Sequence, residues 1–178
     1  MSMRKKAARE FLILGVFCAL SLSSACTTVV ENNRPPEAAP ALEMSKIAVD
    51  DPNKSDVASI NWGLKIRNFS ELFLVSGYGA TDAEGRVQFP GDAVAQTEFI
   101  LGRIQSLIES AGYSKDNIIR FETTVTQDVP PSQFSGIFAA TSAFHSDVIV
   151  KPTAATFRVV QALGNPDMLV ELEFWLAQ

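Results

Sequence analysis

Hydrophobic and polar positions alternate from Ile60 to the C-terminus in a way that predicts five strands and two helices. Two short apolar runs, residues 60–66 and 72–77, predict strands joined by "RNFSE", a loop of hairpin length. A polar stretch rich in turn-forming residues follows. The pattern therefore opens with a pair of strands.

The most regular pattern follows Asp92 and predicts an amphipathic helix. Asp92 is a residue type that caps helix N-termini, and Gly112 is typical of the position just after a helix end. Between them, apolar residues recur at i, i+4, i+7, i+8 and i+11, which places them on one helical face. These residues are Ile100, Ile104, Leu107, Ile108 and Ala111.

The stretch "NIIRFETTVTQ" predicts a strand with one buried face. The inward set is Ile119, Phe121, Thr123 and Val125, and the outward set is Arg120, Glu122 and Thr124. Pro130 and Pro131 then predict the start of a second helix. Its inner stripe is predicted to contain Phe134, Ile137, Phe138, Thr141 and Phe144 or His145.

Two strands, "AATFRVVQA" and "LVELEFWLA", close the chain around the turn "LGNPDM". In the last strand one face carries Val170, Leu172, Phe174 and Leu176, and the other carries Glu171, Glu173 and Trp175. The order ββαβαββ predicts an α+β fold in which a mixed sheet has both helices on one face. The second face is too apolar for open water and too charged for a dry core, so we predict a homo-oligomer.

Residues 1–25 predict a signal peptide. Basic residues precede the apolar run "FLILGVFCALSL", which is too short to span a bilayer. The following "LSSAC" resembles the lipobox of bacterial lipoproteins, in which Cys26 becomes the lipid-bearing first residue. The alternative is ordinary cleavage nearby, which leaves Cys26 as a free thiol. Thr27 favours the outer membrane over the inner, so we expect a periplasm-facing lipoprotein of the cell envelope.

Residues 26–57 predict a flexible tether, and residues 58–178 predict the folded domain. The tether contains Pro35, Pro36, Pro40 and Pro52, with asparagines, acids and no sustained hydrophobic period. Such a composition cannot bury enough apolar surface to become ordered. A tether of this kind would separate a lipid anchor from a soluble domain.

Charge and composition limit the partners. The chain has 15 Lys and Arg and 20 Asp and Glu, and 47% of its residues are hydrophobic. Without residues 1–25 these counts become 11 and 19, a net charge of −8. An acidic body argues against nucleic acid as a partner. With Cys26 acylated no thiol remains, and His145, the single histidine, is expected to be a surface or packing residue. Because metal sites need several such ligands, we expect no metal and no cofactor.

The segment "LFLVSGYGATDAEGRVQFPGDAVAQTEFILGRIQSLIESAGYSKDNIIRFETTVT", with the closing "LVELEFWLA", resembles the RidA family, also called YjgF/YER057c/UK114. The resemblance covers roughly residues 60–177. It implies a chorismate-mutase-like homotrimer whose sheets form an inner barrel, with a ligand cleft at each subunit interface. Active members hydrolyse reactive enamines and imines, such as 2-aminoacrylate, to a 2-keto acid and ammonia.

The resemblance implies a set of cleft residues. Ser76 and Gly77 match a Ser-Gly pair that lines the family's cleft, and Tyr78 stands where glutamine is usual. Glu171 matches a glutamate that helps to position water in the family, although a solvated or interface acid is the alternative. Thr156 falls where the family often has cysteine or threonine near the ligand.

The arginine that clamps the substrate carboxylate in active members has no clear counterpart. Counted from Pro152, its position holds Ala154; counted back from the closing strand's first glutamate, it holds Thr156. Arg158 lies two to four residues too late, and its alternative role is an ordinary strand arginine that pairs with a glutamate of the last strand, Glu171 or Glu173. No neutral side chain can copy a bidentate guanidinium.

Two hypotheses follow from this resemblance. The first is a diverged, non-catalytic protein that binds a small metabolite, because Ala154, Phe138 and Tyr78 all shift the cleft away from carboxylate recognition. The second is an enamine/imine deaminase of the 2-iminobutanoate/2-iminopropanoate type that uses Glu171, with Ser76 and Arg158. The sequence favours the first. An endoribonuclease activity, also assigned within the family, fits the acidic body poorly.

Overall fold

The computed structural model describes residues 44–49, 62–151 and 155–178. Its elements in chain order are β1 (Ser45–Val49), β2 (Gly63–Arg67), β3 (Leu72–Gly79), α1 (Ala93–Ser110), β4 (Ile118–Thr126), α2 (Phe134–Phe144), β5 (Thr156–Val160) and β6 (Val170–Ala177). Single 3-10 turns, Lys115–Asn117 and Pro131–Gln133, precede β4 and α2. The remaining residues, including Cys26 and Ala154, lie outside the described ranges.

The main sheet has four strands in the order β3-β6-β4-β5. β6 is antiparallel to both of its neighbours, whereas β5 is parallel to β4. Apolar residues of both helices form one core with the same face of β6, which carries Leu172, Phe174 and Leu176. The predicted α+β fold, with two helices and a mixed sheet, is therefore confirmed.

Helix α1 begins and ends where the sequence predicts. The carboxylate of Asp92 accepts hydrogen bonds from the backbone N–H groups of Val94 (3.1 Å) and Ala95 (2.9 Å), which satisfies two of the unpaired donors of the first turn. The predicted isoleucines are buried and Leu107 is half-buried. Ala111 is exposed because it is the C-cap, beyond the last helical turn.

Helix α2 packs closely against α1. A β-carbon at Gly136 would lie 2.6 Å from a methyl group of Val94, so only glycine permits this approach. Ile137, Thr141 and His145 are buried as predicted. The prediction for Phe138 is wrong, because 49% of it is exposed. It lies at the margin of the stripe, and its ring contacts β5 rather than the core.

The strand pair at the start of the domain differs from the prediction. β2 pairs with β1 in a separate antiparallel two-stranded sheet, with Ser45 opposite Arg67 and Val49 opposite Gly63. The predicted hairpin with the next strand is therefore wrong. β1 also lies within the predicted tether, which is wrong for Ser45–Val49: the short run "SKIAV" finds a partner strand despite its proline-rich surroundings. The rest of the predicted tether and the predicted signal peptide lie outside the described ranges.

Strand β4 is covered on both faces, not on one. A register shift between Ile118 and Arg120 puts Ile118, not Ile119, in the core. On the opposite face Glu122 and Thr124 are also buried. β4 is a central strand, and the long side chains around it cover this second face.

Among the described residues, no helix is long and apolar enough to cross a membrane.

Candidate functional site

The candidate site lies on the face of the four-stranded sheet opposite the core, here called the open face. Strand registers arrange its side chains in rows across the sheet. The first row is Arg158, Thr124 and Glu171; the second is Thr156, Glu122 and Glu173; the third is Arg120, Trp175 and Leu74. Charged groups from three strands therefore meet on one surface.

Two arginines share one buried carboxylate in what we call the arginine–glutamate cluster, formed by Arg120, Glu122 and Arg158. Arg120 Nη2 donates to Glu122 Oε1, and Arg158 Nη1 lies 2.5 Å from Glu122 Oε2. The Glu122 side chain is only 7% exposed. Each carboxylate oxygen thus holds one guanidinium.

The cluster keeps Glu122 ionised. Burial alone raises the pKa of a carboxyl group, because it disfavours the charged form. Here the hydrogen bonds and positive charges of Arg120 and Arg158 outweigh burial and hold the pKa of Glu122 below its ordinary value. The carboxylate is therefore a permanent negative charge between the two arginines at neutral pH.

Arg120 is held by two further contacts. Its Nη2 donates to Thr156 Oγ1 at 3.3 Å, and its guanidinium carbon lies 4.9 Å from the centre of the Trp175 ring, a cation–π distance. Its Nε is buried and finds no hydrogen-bond acceptor within the described part of the chain. A guanidinium from β4 thus reaches Thr156, one of the two positions predicted to correspond to the clamping arginine of the family.

Glu171 lies against the backbone of β3. A β-carbon at Gly77 would lie 2.5 Å from the carboxylate of Glu171, so the absence of a side chain at Gly77 makes room for this group. Burial, and then the negative charge of Glu173, raise the pKa of Glu171 above its ordinary value. Neither glutamate has an ion-pair partner among the residues described. A carboxyl group with a raised pKa suits proton transfer or the positioning of water.

A β-bulge produces this contact. The pairing of β3 with β6 shifts register between Val75 and Tyr78, so Ser76 and Gly77 form the irregular part of the strand. Bulges bend a strand and redirect its side chains. Ser76 is exposed beside Gly77. Tyr78 then aligns with Leu172 and packs against the core.

The structure separates the predicted cleft residues into two groups. Gly77, Thr156, Arg158 and Glu171 belong to the open face. Tyr78 and Phe138 lie on the helix side of the sheet. There the ring of Phe157 lies 4.9 Å from that of Phe138 and 5.1 Å from that of Phe134, measured between ring centroids. Within the single chain, the aromatic and charged parts of the predicted cleft therefore lie on opposite sides of the sheet.

Sequence reasoning missed the role of Arg120 and Glu122. The prediction that Arg158 pairs with Glu171 or Glu173 is wrong, because the strand next to β5 is β4, not β6. The available signal was the opposite charges at i and i+2 on one face of β4. The partner of Arg158 could not be identified without the parallel pairing of β4 with β5.

His145 is a packing residue, one of the two roles predicted for it. Its Nδ1–H donates to the carbonyl of Thr141 at 2.8 Å, and its ring stacks on Phe121 with centroids 4.8 Å apart. Burial lowers the pKa of His145 to about 4, so the ring is neutral at pH 7. Within the described ranges, no cluster of three or more histidine, cysteine or acidic side chains could hold a metal ion.

Comparisons with known proteins agree with this architecture. The sequence model of the family described as Endoribonuclease L-PSP matches residues 61–178. A Yersinia pestis structure, YyfB of the conserved Rid protein family, is 22% identical with a TM-score of 0.67, and the match covers 75% of this chain and 98% of that one. The Escherichia coli YjgF gene product is 22% identical with a TM-score of 0.51, covering 61% and 82%. Escherichia coli TdcF with bound serine is 18% identical with a TM-score of 0.51, covering 62% and 85%.

Proposed function

The chain belongs to the endoribonuclease L-PSP family, which includes YjgF and the Rid proteins, and from this premise we propose that it binds a small, uncharged metabolite between the subunits of a homotrimer. The bound ligand is not hydrolysed. A lipid on Cys26 anchors the trimer in the cell envelope, and no nucleic acid is involved.

The observation that carries this proposal is the pairing of Glu122 with both arginines of the open face. In active members of the family that this chain resembles, a free arginine clamps the substrate carboxylate. Here Arg120 and Arg158 are both already bound to a carboxylate. Such a surface favours ligands without negative charge.

Exposed apolar groups support an oligomer. On the open face Leu74 and Trp175 are exposed side by side, and Val159 of β5 and Phe138 of α2 are also exposed. Both edges of the main sheet thus present apolar side chains, which soluble proteins usually cover. A trimer would also bring the helix-side aromatics of one copy towards the charged face of another.

A matched pair of probes tests the function. The full-length chain, purified in mild detergent, is titrated with 2-oxobutanoate and with its neutral analogue 2-oxobutanamide in a calorimeter. We expect the amide to bind at least ten times more tightly than the acid. We also expect hydrolysis of 2-iminobutanoate no faster than the uncatalysed rate. Tight binding of the acid, or turnover, would contradict the proposal.

The second candidate, a deaminase, rests on Glu171. Its raised pKa and its position against Gly77 are what a water-positioning or proton-transferring carboxyl group needs. In that case Glu171→Gln would abolish turnover of 2-iminobutanoate while leaving the fold intact, and Glu173→Gln, its neighbour on the same face, would keep it. Equal turnover in the wild type and Glu171→Gln would exclude this candidate.

A further inference from the structure

This inference deepens the proposed function and rests on it. We propose that Glu122 is a specificity-determining residue: its carboxylate occupies the guanidinium groups of Arg120 and Arg158 in the place of a ligand carboxylate, and so excludes acids from the site. Glu122 acts through the arginines and is a positioning residue rather than a catalytic one.

The geometry is that of a bound carboxylate ligand. Arginine recognises carboxylates through paired N–H donors, and these charge-assisted hydrogen bonds are stronger than neutral ones. Glu122 uses one oxygen for Arg120 and the other for Arg158, so both oxygens are engaged. Glu122 belongs to β4, which lies between β5 with Arg158 and β6 with Trp175. The strand pairing therefore places its carboxylate beside the arginines.

Displacement of Glu122 by a ligand is unfavourable. A ligand carboxylate would replace bonds that the protein already makes, so the exchange gains little. It would also lose translational and rotational freedom on binding, a loss that a tethered side chain does not incur. The displaced Glu122 would remain buried without a partner, which is costly for a charged group. Discrimination against acids follows from these three effects together.

Arg158 is the arginine that removal of Glu122 would expose to a ligand. Its side chain is 48% exposed on the edge strand β5, whereas that of Arg120 is 27% exposed and covered by Trp175. Arg120 also keeps Thr156 as an acceptor. The expected binder of an incoming carboxylate in a variant protein is therefore Arg158.

The test is a gain of binding. The full-length Glu122→Gln variant, nearly the same size as the wild type, should bind 2-oxobutanoate at least ten times more tightly than the wild type, with little change for 2-oxobutanamide. Glu173→Gln is the matched control, because it removes the same charge from the neighbouring position of the same row without breaking a bond to arginine. It should leave both affinities within about twofold, since Glu173 forms no ion pair with either arginine within the described ranges.

Two double variants identify the binding group. The variant Glu122→Gln with Arg120→Met keeps the net charge of the wild type, so it tests the inference even if the single variant does not fold. It should retain the gain in binding of 2-oxobutanoate. Glu122→Gln with Arg158→Met should lose it. The inference is overturned if folded Glu122→Gln, or Glu122→Gln with Arg120→Met, shows no gain, if Glu173→Gln gains equally, or if Glu122→Gln with Arg158→Met keeps the gain.

The wild-type measurement separates this inference from the proposed function. If the wild type already binds the acid better than the amide, the proposed function fails, yet a further tenfold gain in Glu122→Gln would still support the role of Glu122. If the wild type prefers the amide and Glu122→Gln gains nothing for the acid, the role of Glu122 fails and the proposed function stands. The two failures are therefore distinguishable.

Discussion

The two faces of the main sheet are stabilised by different kinds of contact. Phe174 and Trp175 are neighbours in β6, yet Phe174 is completely buried under both helices and Trp175 is 39% exposed beside Arg120. The helix face is stabilised by close apolar packing. The open face is stabilised by one carboxylate shared between two arginines. The difference shows that alternation in one strand can separate a core from a recognition surface.

Both sides of the sheet contain buried polar groups, and His145 Nε2 on the helix side has no hydrogen-bond partner within the described ranges. On the helix side Gln96 is completely buried, and its side chain donates to the carbonyls of Phe89 and Asp167 and accepts from the N–H of Leu169. On the open face, Arg120 Nε lacks an acceptor within the described ranges. A fully hydrogen-bonded amide stabilises the core, whereas a buried donor without an acceptor costs stability.

Breaking the helix face should have the largest effect. Phe174→Ala leaves a cavity among Phe121, Phe144 and His145 and should lower the free energy of unfolding by about 4 kcal/mol. Trp175→Ala should cost the protomer about half as much and should instead weaken self-association at least tenfold. Urea unfolding and analytical ultracentrifugation measure the two effects. Equal effects of both variants on both measurements would remove the distinction between the faces.

The second-largest expected effect is a loss of folding stability at acidic pH. Because burial lowers the pKa of His145 from 6.5 to about 4, the unfolded chain binds a proton between these values that the folded chain does not. Lys115 also lowers this pKa, and Asp147 raises it. Stability is therefore full above pH 6.5 and falls as the pH drops to 4, by roughly 3 kcal/mol.

Urea unfolding from pH 7.5 to pH 4 checks this dependence. His145→Gln keeps a hydrogen-bond donor but cannot titrate, so it should flatten the slope between pH 6.5 and pH 4. The difference between the two proteins removes the contribution of carboxylates that titrate in the same range. Identical slopes would mean that His145 does not titrate as the buried ring requires.

Breaking the arginine–glutamate cluster should lower the free energy of unfolding less than either of the two changes above. Glu122→Ala leaves two positive charges without their shared partner and should cost about 2 kcal/mol, less than for a fully buried pair because Arg158 is half-exposed. Glu173→Ala, in the same row, should change stability by less than about 0.5 kcal/mol. Urea unfolding at pH 7 compares them, and a loss for Glu173→Ala as large as for Glu122→Ala would contradict the cluster.

The smallest expected effect concerns the bulge. Gly77→Ala should push the flexible end of Glu171 out of its place at a cost of about 1 kcal/mol, and should lower the pKa of Glu171 towards its ordinary value. Carbon-13 NMR titration of the glutamate carboxyl groups measures that pKa. Ser76→Ala, at the exposed neighbouring position, is the control. An unchanged Glu171 pKa in Gly77→Ala would show that the contact does not control it.

Local features of the sequence predicted most elements correctly. The capping carboxylate of Asp92 and the spacing of Ile100, Ile104 and Ile108 located α1, and alternation located the two faces of β6. The predictions failed where pairing decides. Strand β1 lies in a proline-rich segment, and the register shift before Arg120 moved the buried position to Ile118.

The sequence by itself determined which segments become helix or strand and which face of each is apolar, because the periods of 3.6 and 2 residues follow from backbone geometry alone. Only the tertiary structure decided which strands are neighbours. The parallel pairing of β5 with β4 joined Arg158 to Glu122, and the bulge in β3 placed Gly77 against Glu171. Such contacts depend on strand order and register, which the packing of distant segments sets.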